Sequence, residues 1–158
     1  MTWLEAIKKS ICYIEDHLTD DLTVEQIANE VYISPFYFQK GFSILCEMTV
    51  SEYIRNRKLY LAAVELSASK EKIIDIAYKY GYDTPEAFSK AFIRFHGVTP
   101  SSVRNGSKYK PFYKLKVKVL IEQGEEMEVK ITPMFPIKLI GFEKKFNFED
   151  SYKKIPEY

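Results

Sequence analysis

Hydrophobic residues recur every three or four positions along the first two thirds of the chain, which is the spacing of one face of an α-helix. The first run carries Leu4, Ile7, Ile11, Ile14 and Leu18 and ends before a polar turn. Further runs are separated by polar residues, glycine or proline, which end helices. The pattern predicts helices over residues 3–18, 23–31, 34–45, 50–67, 72–80 and 84–95, and a short seventh helix from 99 to 105.

The pattern changes after residue 108. Residues 113–119 alternate between apolar residues and lysines, which predicts a strand with one lysine face, and solvated lysines that protect an edge strand explain this row better than contacts to a nucleic acid do. Residues 127–131 and 137–142 indicate further strands, which Pro133 and Pro136 interrupt. Lys110, Pro111 and Phe112 are expected to form a linker. The tail is therefore predicted to be β-rich.

The helical part contains an internal repeat. When Ser34 is placed on Thr84, both copies show a capping hydroxyl followed by proline, the usual start of a helix. Five further residues match at the same offset: Phe38, Lys40, Phe42, Thr49 and Ser51 fall on Phe88, Lys90, Phe92, Thr99 and Ser101. In the second copy, Gly81 occupies the turn, where the backbone needs a left-handed residue.

Each copy is therefore predicted to form a short helix, a tight turn and a second helix. This is the anatomy of a helix-turn-helix, whose second helix enters the major groove of DNA. The alternative is that both copies are only helical hairpins in an all-α core, but the duplication and the paired Ser/Thr-Pro starts favour DNA binding. The predicted fold class is mainly α, a seven-helix double helix-turn-helix domain with a short C-terminal β-rich tail.

The helix predicted between the two units is long enough to act as a strut. At ~1.5 Å per residue, residues 50–67 would span roughly 27 Å. This length approaches the ~34 Å that separates successive major-groove segments on one side of a duplex. We therefore expect the strut to hold two recognition helices near adjacent segments of the groove.

Over residues 3–108 the chain resembles the AraC/XylS transcriptional regulators, in their paired helix-turn-helix DNA-binding domain. The strongest similarity lies in residues 73–77, 81–92 and 95–100, and residues 53–59 resemble the start of the family's linker helix. The resemblance implies a DNA-binding domain at 1–108, with units at about 22–46 and 72–96 and recognition helices at about 34–45 and 84–95. It further implies a sequence-specific regulator, an activator, with double-stranded DNA and RNA polymerase as partners.

The resemblance also implies which side chains meet DNA. The candidates for base contacts are exposed residues early in each second helix: Phe36, Gln39, Lys40, Pro85, Glu86, Ser89 and Lys90. Their chemistry suits base edges, since glutamine pairs with adenine, lysine with guanine acceptors, and glutamate with the cytosine amino group. The candidates for phosphate contacts are cap hydroxyls and arginines: Ser34, Arg55, Arg57, Thr84 and Arg94.

Several of these roles have alternatives. Lys40 and Lys90 could hold phosphates and carry no sequence information. Glu86 could serve only to balance the helix dipole in the first turn. Arg55 or Arg57 could pair with a nearby carboxylate such as Glu52. By contrast, the paired phenylalanines at 38, 42, 88 and 92 are expected in the core.

Net charge does not support nucleic-acid binding by itself. Residues 1–108 hold 13 basic and 14 acidic residues, a net charge of −1, whereas many DNA-binding domains are basic. The distribution is more informative, because the acids concentrate between residues 15 and 30. The bases recur at Lys40, Arg55, Arg57, Lys58, Lys90 and Arg94. A local positive surface survives if the fold brings these bases to one face.

The tail at 109–158 resembles the opening of the GyrI-like effector-binding domain that some AraC-family members carry, in residues 129–131 and 137–142. A complete domain of that kind is longer, so a small-molecule effector is doubtful. The alternative function is a ligand- or protein-sensing interaction module, in which the tail acts and the helical half only tethers it.

Other function classes find no support in the sequence. There is no phosphate-binding glycine loop and no catalytic or metal-ligating cluster, so we expect no enzyme, no cofactor and no metal. Cys12 and Cys46 occupy apolar positions and are expected to be buried. No apolar run approaches the ~20 residues of a membrane span, and the first residues do not form a signal peptide, so a cytoplasmic protein without membrane contact is expected.

Overall fold

The computed structural model describes residues 2–119 and 129–133. Its helices and strands are α1 (Trp3–Asp16), α2 (Val24–Glu30), α3 (Pro35–Cys46), α4 (Val50–Ala68), α5 (Ile73–Lys79), α6 (Pro85–His96), α7 (Pro100–Arg104), β1 (Leu115–Val119) and β2 (Val129–Pro133). The predicted mainly α fold with seven helices is confirmed, and each helix end lies within two residues of its predicted position. None of the described helices combines the length and apolar character that a bilayer crossing requires.

Side-chain caps fix where the helices begin. Thr2, Thr23 and Thr49 each accept a hydrogen bond from the backbone N–H three residues on, while a Glu or Gln side chain at that position accepts one from the backbone of the threonine. This reciprocal capping box satisfies two N–H groups that a helix start leaves free. The side chains of Thr84 and Thr99 likewise accept a hydrogen bond from the backbone N–H three residues on, at the starts of α6 and α7, and each threonine is followed by a proline.

The helices enclose two hydrophobic clusters that share α4. The first cluster joins α1, α2 and α3 to the first half of α4, with Ile7, Phe38, Phe42 and Tyr53 fully buried. The second joins α5, α6 and α7 to the second half of α4. Its largest fully buried side chains are Leu59, Leu66, Ile76, Phe88 and Phe92. We call the two halves the first unit (α1–α3) and the second unit (α5–α7).

The tight turns of the two units differ in length. Residues 31–34 connect α2 to α3, whereas residues 80–84 connect α5 to α6, so the second turn is one residue longer. Tyr32 and Gly81 occupy equivalent places, because each N–H bonds the carbonyl three residues earlier. Both have positive φ, 56° for Tyr32 and 80° for Gly81. The expected left-handed glycine is confirmed, but the first unit places a tyrosine in the same conformation.

The described part of the tail forms an antiparallel pair of strands. Leu115 of β1 pairs with Pro133 of β2, and Val119 pairs with Val129. β1 packs beside α1, and β2 lies beside α3. The expected strand at 137–142 lies outside the described residues.

Residues 109–117 pack against the helices, although Lys110, Pro111 and Phe112 were expected to form a linker. Tyr109 joins the second cluster, and Phe112, Leu115 and Val117 join the first. The prediction missed the packing of Tyr109 and Phe112 because two aromatic residues in an irregular segment give no periodic signal. The alternation of residues 113–119 predicted a strand but not its place beside α1.

The two cysteines differ. Cys46 is buried as expected, and burial raises the pKa of its thiol to about 12. The prediction of burial was wrong for Cys12, which is exposed and lies 3.6 Å from Lys114 Nζ. Its position in α1 turns away from the stripe formed by Ile7, Ile11 and Ile14.

Candidate nucleic-acid interface

Helix α3 separates a buried aromatic face from an exposed one. Phe38 and Phe42 are fully buried, with ring centroids 5.8 Å apart. The predicted base-contact residues Phe36, Gln39 and Lys40 are all exposed, and 69% of the Phe36 surface is accessible. The packing of the phenylalanines into the core thus orients the other side chains outward.

Helix α6 repeats the arrangement with different exposed chemistry. Phe88 and Phe92 are fully buried, with ring centroids 5.4 Å apart. Of the predicted base-contact residues here, Glu86 and Lys90 are exposed, while Pro85 and Ser89 are half-buried. The contacts of these side chains with bases stay predictions.

The exposed face of α3 contains two apolar residues that the sequence reasoning missed. Tyr37 and Ile44 are 64% and 68% exposed. They lie three residues before and four residues after Lys40, and side chains at this spacing share a helix face. Helical spacing counted from Lys40 would have found them. On α6, Arg94 lies four residues after Lys90 and is also exposed.

A close contact holds α3 against the start of the chain. A Cβ atom placed on Gly41 would lie 2.5 Å from ring atoms of Trp3, so the indole can lie over α3 only where the side chain is absent. The equivalent residue of α6, Ala91, packs instead against the second cluster. Trp3 therefore packs over Gly41 of α3 in a contact that has no equivalent at Ala91 of α6.

Two of the expected phosphate-binding arginines lie between the units. Arg55 and Arg94 are both exposed and line one cleft between α4 and α6, together with Asn56 and Phe95. Arg55 also lines the cleft on the other side of α4, where Leu22, Ser51 and Tyr82 meet. Arg55 thus lines both the cleft beside α6 and the cleft beside the turn between α5 and α6.

The expectation of a phosphate contact at Arg57 is corrected by the structure. Its side chain is only 7% exposed and donates from Nε and Nη2 to the two carboxylate oxygens of Glu15, at 2.7 and 2.6 Å. Nη1 donates to the carbonyl oxygen of Phe112 at 2.5 Å. The guanidinium therefore stabilises the interior and cannot reach DNA. The carboxylate that the sequence suggested, Glu52, instead belongs to the capping box of Thr49, whose hydrogen bonds lower the pKa of Glu52.

The two cap hydroxyls also differ. Thr84 Oγ1 accepts a hydrogen bond from the N–H of Ala87 at 3.1 Å. Ser34 occupies the N-cap position of α3 but makes no side-chain capping hydrogen bond. A phosphate contact through either hydroxyl stays a prediction. The Ser34 geometry leaves its oxygen free of the competing cap interaction.

The positive residues do not form one uniform face. Lys58 is directed to the acidic turn before α2, where its Nζ lies 3.4 Å from the carbonyl oxygen of Asp20. Burial lowers the pKa of Lys58, and the charges of Asp21 and Asp20 oppose that shift. The bases that remain exposed on or between the recognition helices are Lys40, Arg55, Lys90 and Arg94. The local positive footprint is therefore narrower than the sequence pattern suggested.

Comparison with known proteins identifies the architecture. A family model described as a helix-turn-helix domain matches residues 27–106, which include the turn and recognition helix of each unit. Regulatory protein SoxS of Escherichia coli K12 is 35% identical over 105 residues, 66% of this chain and 98% of its own. The transcriptional activator AarP of Providencia stuartii is 35% identical over 98 residues, 62% of this chain and 73% of its own.

Solved structures show the same fold. An AraC-type transcriptional regulator from Chromobacterium violaceum superimposes with a TM-score of 0.62 at 20% identity, over 64% of this chain and 90% of its own. The DNA-binding domain of AdpA, solved with a target DNA, gives a TM-score of 0.58 at 22% identity, over 63% of this chain and 89% of its own.

Proposed function

Because the chain belongs to the AraC-type family of helix-turn-helix transcriptional regulators, we propose that it reads one bipartite DNA site with α3 and α6. Each helix enters one of two adjacent major-groove segments, and residues 1–108 form the DNA-binding part. The observation that carries this proposal is the presence, in one chain, of two helices that bury matched phenylalanine pairs and expose the opposite face.

The exposed side chains support different base preferences for the two helices. On α3, Gln39 suits adenine, and the apolar surfaces of Phe36 and Tyr37 suit thymine methyl groups. On α6, Lys90 suits guanine and Glu86 suits cytosine. We expect an asymmetric site with an A/T-rich block under α3 and a G/C-containing block under α6.

Contacts to phosphates fix the position of the protein relative to the two blocks of the DNA site. Arg55 and Arg94 line the same cleft next to α6, and a guanidinium can donate two parallel hydrogen bonds to one phosphate. A duplex that spans both recognition helices brings phosphates past this cleft. Each arginine that neutralises one phosphate should contribute about one unit to the slope of log affinity against log salt.

The test is selection from a randomised duplex library at fixed salt, followed by affinity measurements. We expect two short blocks about one helical turn apart, with Gln39→Ala weakening preference in one block and Lys90→Ala in the other, each by about 10-fold. Lys8→Ala removes a positive charge from the exposed face of α1 and serves as the matched control. Salt-sensitive binding without any enriched sequence would contradict the proposal.

We further propose that the protein is an activator that works in the cytoplasm and contacts RNA polymerase through a face other than α3 and α6. The name of AarP supports this assignment, since it is a transcriptional activator. Transcription of a template that carries the selected site, with purified polymerase and added protein, tests the sign: increased transcript supports activation, and decreased transcript contradicts it.

The resemblance of the tail to a GyrI-like effector domain stays a proposal. The antiparallel pairing of β1 and β2 is compatible with such a sheet. Isothermal titration of the full chain with a panel of small organic ligands, set against a chain ending at residue 119, tests it: binding that needs the residues after 119 supports the proposal, and equal heats for both chains contradict it.

A further inference from the structure

The two units are connected by α4 and by a second segment, residues 109–117, which we call the strap. The strap runs from the second cluster to the first along α4. At its start, the Tyr109 ring lies 5.9 Å from His96 and 6.1 Å from Tyr60, measured between centroids. At its end, Leu115 is 5% exposed and belongs to the first cluster.

Buried polar groups fix the path of the strap. Arg57, held by Glu15, donates to the carbonyl oxygen of Phe112. The N–H of Leu115 donates to the hydroxyl of Tyr53 at 3.3 Å, and that hydroxyl donates to Glu15 at 2.7 Å. Because these groups are shielded from water, release of the strap would leave the Arg57 guanidinium and the Tyr53 hydroxyl each with one partner fewer in the interior.

One side chain of the strap contacts both units. The Phe112 ring lies between Tyr53, whose centroid is 6.0 Å away, and Phe95, whose centroid is 5.8 Å away. Tyr53 is fully buried in the first cluster, and Phe95 belongs to α6 and packs against the second. The ring of Phe112 thus links the first core directly to the helix that carries Glu86 and Lys90.

We propose that the strap fixes α3 relative to α6, with Phe112 as a positioning residue that sets which spacing between two half-sites the protein accepts. This inference rests on the proposed function. One added base pair moves a half-site along the duplex by ~3.4 Å and rotates it by roughly 35°. A rigid pair of helices cannot follow this change, whereas a pair joined through α4 alone can adjust.

The first experiment measures the geometry without DNA. Spin labels are attached to two cysteines introduced at exposed positions, Ile44→Cys on α3 and Ile93→Cys on α6, in the full chain. The exposed Cys12 is replaced by serine so that it takes no label. Cys46 is kept because it is buried. We expect the distribution of label distances to widen at least about twofold in Phe112→Ala. Phe112→Leu should retain the narrow distribution, and Ile27→Val is a control that weakens the first core at α2, rather than at α1, which packs beside β1.

The second experiment measures binding to sites whose half-sites are moved apart by one or two base pairs. Relative to the selected site, we expect the moved sites to bind at least ~10-fold more weakly to the wild type and to Phe112→Leu. For Phe112→Ala the loss of affinity should be less than ~3-fold. Preference within each block should not change. Tyr109→Ala releases the other end of the strap and gives the same test if Phe112→Ala does not fold.

The outcomes separate the two proposals. Unchanged label distances in both alanine variants would overturn the role of the strap. Wider distances with an unchanged spacing penalty would overturn its role in site selection. A wild type that selects no sequence would overturn the proposed function and the spacing role together, while the label distances would still show whether the strap holds the units.

Discussion

The two helix-turn-helix units agree in what they bury and differ in what they expose. Phe38 and Phe42 correspond to Phe88 and Phe92, and both pairs are fully buried at similar ring distances. On the surface, Phe36 and Ile44 of α3 stand where α6 has Glu86 and Arg94. Packing restricts buried positions to one size and shape, whereas exposed positions can differ without affecting the core. The comparison therefore separates the residues that build the unit from those available for recognition.

The units also differ in the contacts that hold them together. The Glu15–Arg57 ion pair, which joins α1 of the first unit to α4, is buried, whereas the Glu65–Lys79 pair, which joins α4 to α5 of the second unit, leaves the lysine 46% exposed. The first unit has a tyrosine in its strained turn and a glycine under Trp3; the second has Gly81 and Ala91 at these places. Each difference can be tested by a pair of substitutions.

The largest effect is expected from the two ion pairs. Arg57→Ala leaves the carboxylate of Glu15, which is largely buried, without its cationic partner and should lower the free energy of unfolding by about 3–5 kcal/mol. Lys79→Ala should cost less than ~1 kcal/mol, because that pair faces solvent. Urea unfolding of both variants measures the difference. Equal losses would show that burial does not distinguish the two pairs.

The next effect concerns the contact of Trp3 with α3. Alanine normally favours a helix over glycine by about 1 kcal/mol, but in Gly41→Ala the methyl group meets the indole, and overpacking costs ~1–3 kcal/mol. We expect a net loss of stability and a shift in the emission of the single tryptophan. In a Trp3→Ala background the same substitution should be stabilising. A loss of equal size in both backgrounds would rule out the steric explanation.

Smaller effects of opposite sign are expected in the two turns. Tyr32→Gly relieves a left-handed tyrosine and should stabilise the protein by up to about 1 kcal/mol. Gly81→Ala introduces the same strain, with its Cβ also 3.3 Å from Lys58 Nζ, and should destabilise it by about 1 kcal/mol. Thermal unfolding of the two variants provides the measurement. Changes of the same sign would show that the two turns are not equivalent.

The smallest effect is a dependence on pH that only the second unit should show. At the end of α6, burial lowers the pKa of His96, while a hydrogen bond to the carbonyl oxygen of Leu59 partly opposes the shift. The equivalent residue of α3 is Cys46, whose thiol stays neutral because its pKa is raised. A lowered pKa in the folded state means that the unfolded chain binds the proton more tightly. The stability contributed by neutral His96 is therefore complete above about pH 6.5 and declines as the pH falls below it.

This dependence can be measured as the thermal midpoint at pH 7.5, 6.5 and 5.5. The wild type should lose stability across that range, and His96→Gln should show a flatter profile. The carboxylates with lowered pKa, Glu5, Glu52 and Glu65, titrate below this range and do not contribute. Parallel profiles for wild type and variant would assign the pH dependence to other groups.

The sequence predicted what depends on local interactions. Helix positions follow from apolar spacing and from caps such as Thr23 and Thr84, which act on backbone groups three residues away. The burial of Phe38 and Phe88 follows from the same spacing. These features need no knowledge of how distant segments meet.

Contacts between distant segments were not predictable in this way. Arg57 looks like a phosphate ligand in the sequence because its partner Glu15 lies 42 positions earlier and its carbonyl acceptor, Phe112, 55 positions later. Glu52, the nearer carboxylate, was the wrong partner because it caps its own helix. Residues 109–112 carry no periodic signal, and the alternation of residues 113–119 predicts a strand but not what it packs against, so the packing of the strap across the two units is visible only in the tertiary structure.

Helix α4 has a consequence for folding cooperativity. Leu61 packs against both hydrophobic clusters, and buried residues of each cluster occupy opposite halves of this single helix. Neither half of the protein can unfold without exposing apolar surface of the helix on which the other depends. Amide protons of α4 should therefore exchange only through global unfolding, at the slowest rate in the helical part of the chain. A fragment with only one unit would leave the other half of α4 without packing partners. We therefore expect the two units of the intact chain to unfold in a single thermal transition.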